Sequence, residues 1–110
     1  MAYDEKLADR VRKRIGKQAG LTEKKMFGGV GFLIRGNMCC GVRGDELIVR
    51  FDPDETDEAL AKPHTRVFDL SPRPMKGWIL VGSKGVATDR SLAKWVDTAT
   101  KFAAALPTKR

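Results

Sequence analysis

The chain has 110 residues, of which 42% are hydrophobic and 32% charged, with a net charge of +7. That length accommodates one core and hence one domain over residues 1–110, and the apolar content excludes a disordered chain. No apolar run approaches the roughly 18–20 residues of a membrane span, and Met1 to Lys6 lacks the apolar stretch of a secretion signal, so the expected location is the cytoplasm, with no membrane partner.

The first predicted element is a helix over residues 3–19. Leu7, Val11 and Ile15 recur every four residues with Ala8 beside them, which makes one apolar stripe. Asp4 and Glu5 at its start and Lys13, Arg14 and Lys17 near its end match the helix dipole, and Gly20 is the expected stop. Arg10, Lys13, Arg14 and Lys17 project to one side at 100° per residue. With Lys24 and Lys25 they form a candidate phosphate-binding set.

Residues 24–51 are predicted as a three-stranded antiparallel meander. Met26 to Ile34 is the first strand, opened by Gly28, Gly29 and Gly31. Met38 to Val42 and Glu46 to Phe51 follow across the turns Arg35-Gly36-Asn37 and Arg43-Gly44-Asp45. In the third strand Leu47, Val49 and Phe51 alternate with Glu46, Ile48 and Arg50, giving one apolar and one mixed face. The glycine run lacks the remainder of any phosphate-loop pattern, so close strand packing is its expected role.

Asp52-Pro53-Asp54 starts a short predicted helix to Ala61, ended by Pro63. This region is acidic: seven of the fourteen acids fall within residues 45–62. Residues 65–71 and 77–82 are predicted strands. The second of these, Gly-Trp-Ile-Leu-Val-Gly, is apolar on both faces and therefore central or well covered. The last helix, 89–106, repeats Leu92, Trp95, Val96, Ala99, Phe102, Ala103 and Leu106 at helical spacing behind a Thr88 or Asp89 cap. The order α-β-β-β-α-β-β-α gives an α+β fold, a two-layer sandwich with an antiparallel sheet and the helices on one face.

No catalytic constellation assembles from this inventory. The one histidine, His64, falls in a predicted loop, and the cysteines, Cys39 and Cys40, are neighbours on a predicted strand. Strand alternation sends adjacent side chains to opposite faces, so a bond between these two thiols is not expected. Two free thiols suit a reducing compartment, with a redox role as the remaining option for the pair. Metal-ligand spacing is absent, and neither a metal nor another cofactor is expected. Arg73-Pro74-Met75-Lys76-Gly77-Trp78 mixes cations, methionine and an aromatic, so Arg73, Met75, Lys76 and Trp78 form a candidate protein-interaction surface.

Lys25-Met26-Phe27-Gly28-Gly29-Val30-Gly31-Phe32, followed by Gly36-Asn37-Met38 and Leu47-Ile48-Val49-Arg50, resembles the N-terminal domain of the TfoX/Sxy family. The basic helix before Met-Phe-Gly-Gly, the Met75–Trp78 segment and the Trp/Leu-bearing final helix fall in matching order. The resemblance implies a cytoplasmic bacterial protein with a secretion-chaperone-like two-layer fold and no catalytic residues. It also implies a regulatory role, since the best-known members govern natural competence together with the cyclic-AMP receptor protein. Full regulators carry a second, helical domain, so the expectation here is a stand-alone N-terminal-type domain. The expected function is therefore a non-enzymatic regulatory or protein-interaction domain with a protein partner, self-associating as a homodimer. Direct nucleic-acid binding through the first helix and thiol-based redox sensing are the alternatives.

Overall fold

A computed structural model describes residues 3–16, 18–26, 28–68 and 76–107. Helix α1 (Glu5–Ile15) is followed by strands β1 (Leu21–Met26), β2 (Gly29–Ile34), β3 (Asn37–Arg43) and β4 (Glu46–Arg50). A 3-10 turn at Pro53–Glu55 leads into α2 (Thr56–Leu60). Then come β5 (Thr65–Val67), β6 (Trp78–Val81), a second 3-10 turn at Ser83–Val86, and α3 (Asp89–Ala105). The strands form one antiparallel sheet in the order β1-β2-β3-β4-β6-β5.

Side-chain caps start α1, the 3-10 turn before α2, and α3. The Asp4 carboxylate accepts from the backbone N–H groups of Lys6 at 2.9 Å and Leu7 at 3.2 Å. Asp52 accepts from Asp54 N–H at 3.0 Å, and the Thr88 hydroxyl from Ser91 N–H at 3.1 Å. Each cap satisfies a donor that the first helical turn leaves unpaired. Leu7, Ala8 and Val11 of α1, Ala59 of α2, and Leu92, Val96, Ala99 and Ala103 of α3 join one cluster. Its sheet side includes Val30, Phe32, Ile34, Val42, Leu47, Val49, Phe51, Ile79 and Val81. All three helices therefore cover the same face, as the apolar stripes predict, and burying each large side chain there contributes about 1.5–3 kcal/mol. The small residues at 99 and 103 let α3 approach the sheet closely. The opposite face carries a smaller cluster, Met38, Ile48, Phe68 and Leu80, with Met26, Leu33 and Trp78 half-buried around it. No described helix packs on that side.

Three boundaries differ from the sequence-based expectation. The first helix stops at Ile15 rather than residue 19, because Gly16 adopts φ 66° and its N–H closes on the Arg12 carbonyl at 2.9 Å. The meander has four strands rather than three, and the sheet six rather than five. Leu21–Met26 forms an additional edge strand, and Gly28 at φ 73° sits in the turn that joins it to β2. Residues 22–25 of that strand are exposed on both faces, so Thr-Glu-Lys-Lys shows no apolar alternation to detect. The strand predicted over 65–71 is β5 for its first three residues; positions 69–71 lie outside the described residues.

Candidate functional site

The basic set of α1 and β1 does not form one free surface. The Arg14 guanidinium donates to both oxygens of Asp97 on α3, at 2.9 Å from Nε, and Arg10 reaches Asp89 at the start of α3 at 3.3 Å. Arg12 turns the other way, donating to both Glu23 oxygens on β1 at 2.7 and 2.9 Å and to Asp9, with its guanidinium 5.8 Å from the Phe32 ring centroid. These arginines clamp α1 to its neighbours. The hydrogen bonds from Arg14 hold the Asp97 carboxyl below the usual carboxylate range. Whatever stability this adds is present above the unfolded carboxylate pKa and is lost as pH falls through the lower folded value. With both side chains about half exposed (48% and 53%), that contribution is small. Among the described residues Lys13, Lys24 and Lys25 make no ion pair. Lys24 lies on the Met26 side of β1 and Lys25 on the Glu23 side, so strand alternation separates them. Lys17 lies outside the described residues.

Of the candidate interaction surface, Arg73 and Met75 also lie outside the described residues, Lys76 is exposed and Trp78 is half-buried. Trp78 packs on Phe68 with ring centroids 5.3 Å apart. Arg50, opposite Trp78 in the β4–β6 register, was not singled out by the sequence. Its guanidinium lies 5.4 Å from the Trp78 ring centroid and 5.6 Å from that of Phe102 on α3, and it donates to the Met38 carbonyl at 3.4 Å. Burial lowers its pKa. No carboxylate pairs with it among the described residues. Beyond it, Gly31 and Gly41 leave a dip in the helix-free face that the Met26 and Met38 side chains fill.

The cysteines correct a sequence-based expectation. Cys40 pairs with Phe32 and Met38 with Leu33, so Cys39 is an extra residue in β3, a bulge. The bulge breaks the alternation, and both thiols enter the core beneath the helices, where neither is exposed. They remain free thiols. The Cys39 sulfur lies 3.7 Å from the Thr100 hydroxyl on α3. The hydrogen bond between the two thiols lowers the pKa of Cys39 and, together with burial, raises that of Cys40 well above the ordinary range. Alkylation by iodoacetamide under native conditions should run at least about a hundredfold slower than in denaturant, because reaction waits for opening of the core. Comparable rates would show that the pair is accessible.

A cleft of about 590 Å³ opens between α2 and α3. Buried Phe51 and Ala59 and half-buried Trp95 form its apolar lining, with Lys62, His64, Lys84 and Lys94 among the polar residues around it. Residues 51–64, 84–85 and 91–98 supply this lining, so no linear motif marks it. His64, predicted in a loop, adopts φ 65° in the turn between α2 and β5. Its carbonyl accepts from Gly82 N–H at 2.7 Å. Among the described residues no helix is long and apolar enough to cross a membrane, and no group of three or more ligating side chains gathers.

The model for the family described as TfoX N-terminal domain matches residues 13–103, which include β1 to β6 and most of α3. A comparison with curated proteins finds no match.

Proposed function

The chain belongs to the TfoX N-terminal domain family, and on that premise we propose that it is a non-enzymatic regulatory domain acting through a protein partner in transcriptional or competence control. The observation that carries this reading is Arg50. Its partly desolvated guanidinium lies over the Trp78 and Phe102 rings and has no carboxylate partner among the described residues. A guanidinium fixed on aromatic faces is pre-organised to receive a carboxylate in a forked geometry. Half-buried Met26, Leu33 and Trp78 share the adjoining face, and methionine and tryptophan suit an adaptable apolar contact. Lys24 on the same face and exposed Lys76 beside Trp78 add positive charge. The partner this surface fits is a protein segment with apolar anchors and acidic groups. A second copy of this chain is the other occupant the experiments can report, and sedimentation of the purified chain reads it.

Selection of random displayed peptides against the purified chain should enrich acidic, apolar sequences. Arg50→Gln should weaken their binding by about tenfold, the scale of one hydrogen-bonded charge pair, and Lys13→Ala should leave it unchanged. Enrichment of basic peptides, or binding indifferent to Arg50→Gln, contradicts the reading.

Direct nucleic-acid binding has less to work with. Arg10 and Arg14 are engaged with α3, which leaves Lys13, Lys24 and Lys25 divided among different faces. A steeply salt-dependent shift of duplex DNA at about 50 mM salt would restore that alternative.

A further inference from the structure

We propose that the cleft between α2 and α3 is a binding site for a small organic anion bearing a flat ring, an effector site separate from the partner surface. At about 590 Å³ the cleft has the size of a small-molecule pocket, and it combines an apolar floor from Phe51, Ala59 and Trp95 with a lining otherwise rich in polar and charged side chains.

The charge pattern selects an anion. Lys62, Lys84 and Lys94 reach the cleft from three different elements: the turn after α2, the second 3-10 turn, and α3. Among the described residues none of the three pairs with a carboxylate, whereas Arg10, Arg12, Arg14 and Arg66 all do. The lysines remain unpaired even though Glu55 and Glu58 line the same cleft from the 3-10 turn before α2 and from α2 itself. The acids therefore mark one wall, and Lys84 and Lys94 the other. An anionic end is drawn to the second wall, while a donor group on the ligand meets the glutamates.

Trp95 supplies the ring contact. Its face is partly exposed, and the Lys62 ammonium hovers over it, 5.3 Å from the ring centroid. An incoming flat ring takes the place over Trp95, and Lys62 turns from the indole to the anion; both contacts that an anionic aryl ligand needs are thus within reach of one lysine's motion. At the rim, glycine at position 85 allows the second 3-10 turn to pack closely on Val81 and His64. A side chain at Gly85 would bring its Cβ to 2.6 Å from the Val81 Cγ1 and 3.1 Å from the His64 Cβ. His64 itself adopts a left-handed φ of 65°, and its carbonyl accepts from the Gly82 N–H. A non-glycine residue in that region persists only where its surroundings enforce it.

The test is an NMR titration of the full ¹⁵N-labelled chain with 1-naphthyl phosphate, 1-naphthoate, neutral 1-naphthol and cationic 1-naphthylmethylammonium. The phosphate or the carboxylate probe, or both, should saturably shift the Trp95 indole N–H and the Gly85 and Lys94 amides, and the tighter of the two identifies the head group. Naphthol and the ammonium probe should bind at least about tenfold more weakly. The double variant Lys84→Ala/Lys94→Ala, confined to exposed side chains, should weaken the anionic probes by about tenfold and leave naphthol unchanged, the factor expected for two exposed charge contacts. Equal binding of naphthol and the anionic probes, tighter binding of the ammonium probe, indifference to the double variant, or no saturable shift up to about 5 mM, the weak end of specific binding, overturns the proposal. None of these outcomes bears on Arg50 or the helix-free face.

Discussion

Alanine at Gly29 is expected to destabilise the fold by about 3 kcal/mol or more, the upper range for overpacking a rigid site. A Cβ there would stand 1.9 Å from the Val42 carbonyl oxygen and 3.0 Å from its carbon, so backbone rather than a side chain has to move. The register aligns β2 with β3 closely at this point, with Val30 opposite Val42. Gly31, two residues on, provides the contrast. Its Cβ would meet the Met26 sulfur at 2.5 Å and the Met38 sulfur at 3.2 Å, both on side chains that can swing aside. Alanine there should cost about 1 kcal/mol or less, partly offset by the reduced freedom of the unfolded chain. Urea or thermal unfolding of the two variants decides the matter. At this chain size the Gly29 variant should lose roughly 15 °C in Tm and the Gly31 variant only a few degrees. Equal losses would refute the steric account of the Gly-Gly pair.

Phe32→Ala should be the most damaging of the ordinary core truncations, at about 3–5 kcal/mol. Phe32 is fully buried in the core of the helix-covered face, so truncation leaves a cavity there. It also removes the ring beneath the Arg12 guanidinium. Val67→Ala is the matched control, since Val67 is 47% exposed on the edge strand and its truncation should change stability by no more than about 0.5 kcal/mol. Chemical denaturation midpoints read both. A Phe32 variant within about 1 kcal/mol of the parent would mean that the core collapses to fill the space.

The parts of this fold legible in the sequence are those written by periodicity and punctuation. The stripes Leu7-Val11 and Leu92-Val96-Ala99-Ala103 placed the two long helices and the face they bury. Alternation in Leu47, Val49 and Phe51 placed the third predicted strand, and Asp52 and Thr88 marked the starts of the 3-10 turn before α2 and of α3. What escaped has physical reasons. Thr22 to Lys25 form an edge strand exposed on both faces, so no apolar period exists to read. The bulge at Cys39 is a pairing event between strands, invisible in either strand alone, and it reverses the expected orientation of one of the two thiols.

The candidate sites were legible to a smaller degree. Trp78 was identified from its neighbours, but its stacking partner Arg50 comes from a strand 28 residues earlier. The sequence places Arg10, Lys13 and Arg14 side by side on α1, yet the acids that Arg10 and Arg14 meet, Asp89 and Asp97, lie on α3, more than 75 residues away. Helical spacing places cations side by side; only tertiary packing determines whether they are already engaged. The cleft draws on three separated segments and has no signature in any of them.

The central claim is that this domain works through the face bearing Leu33, Trp78 and Arg50 and not through the basic first helix. A photoreactive phenylalanine analogue placed at Leu33 in one chain and at Lys13 in another, each expressed in the host cell and illuminated, tests it directly. The account predicts a discrete protein adduct from position 33, either with one partner or with a second copy of the chain, and none from position 13. Adducts to nucleic acid or protein from position 13, with none from position 33, would contradict it.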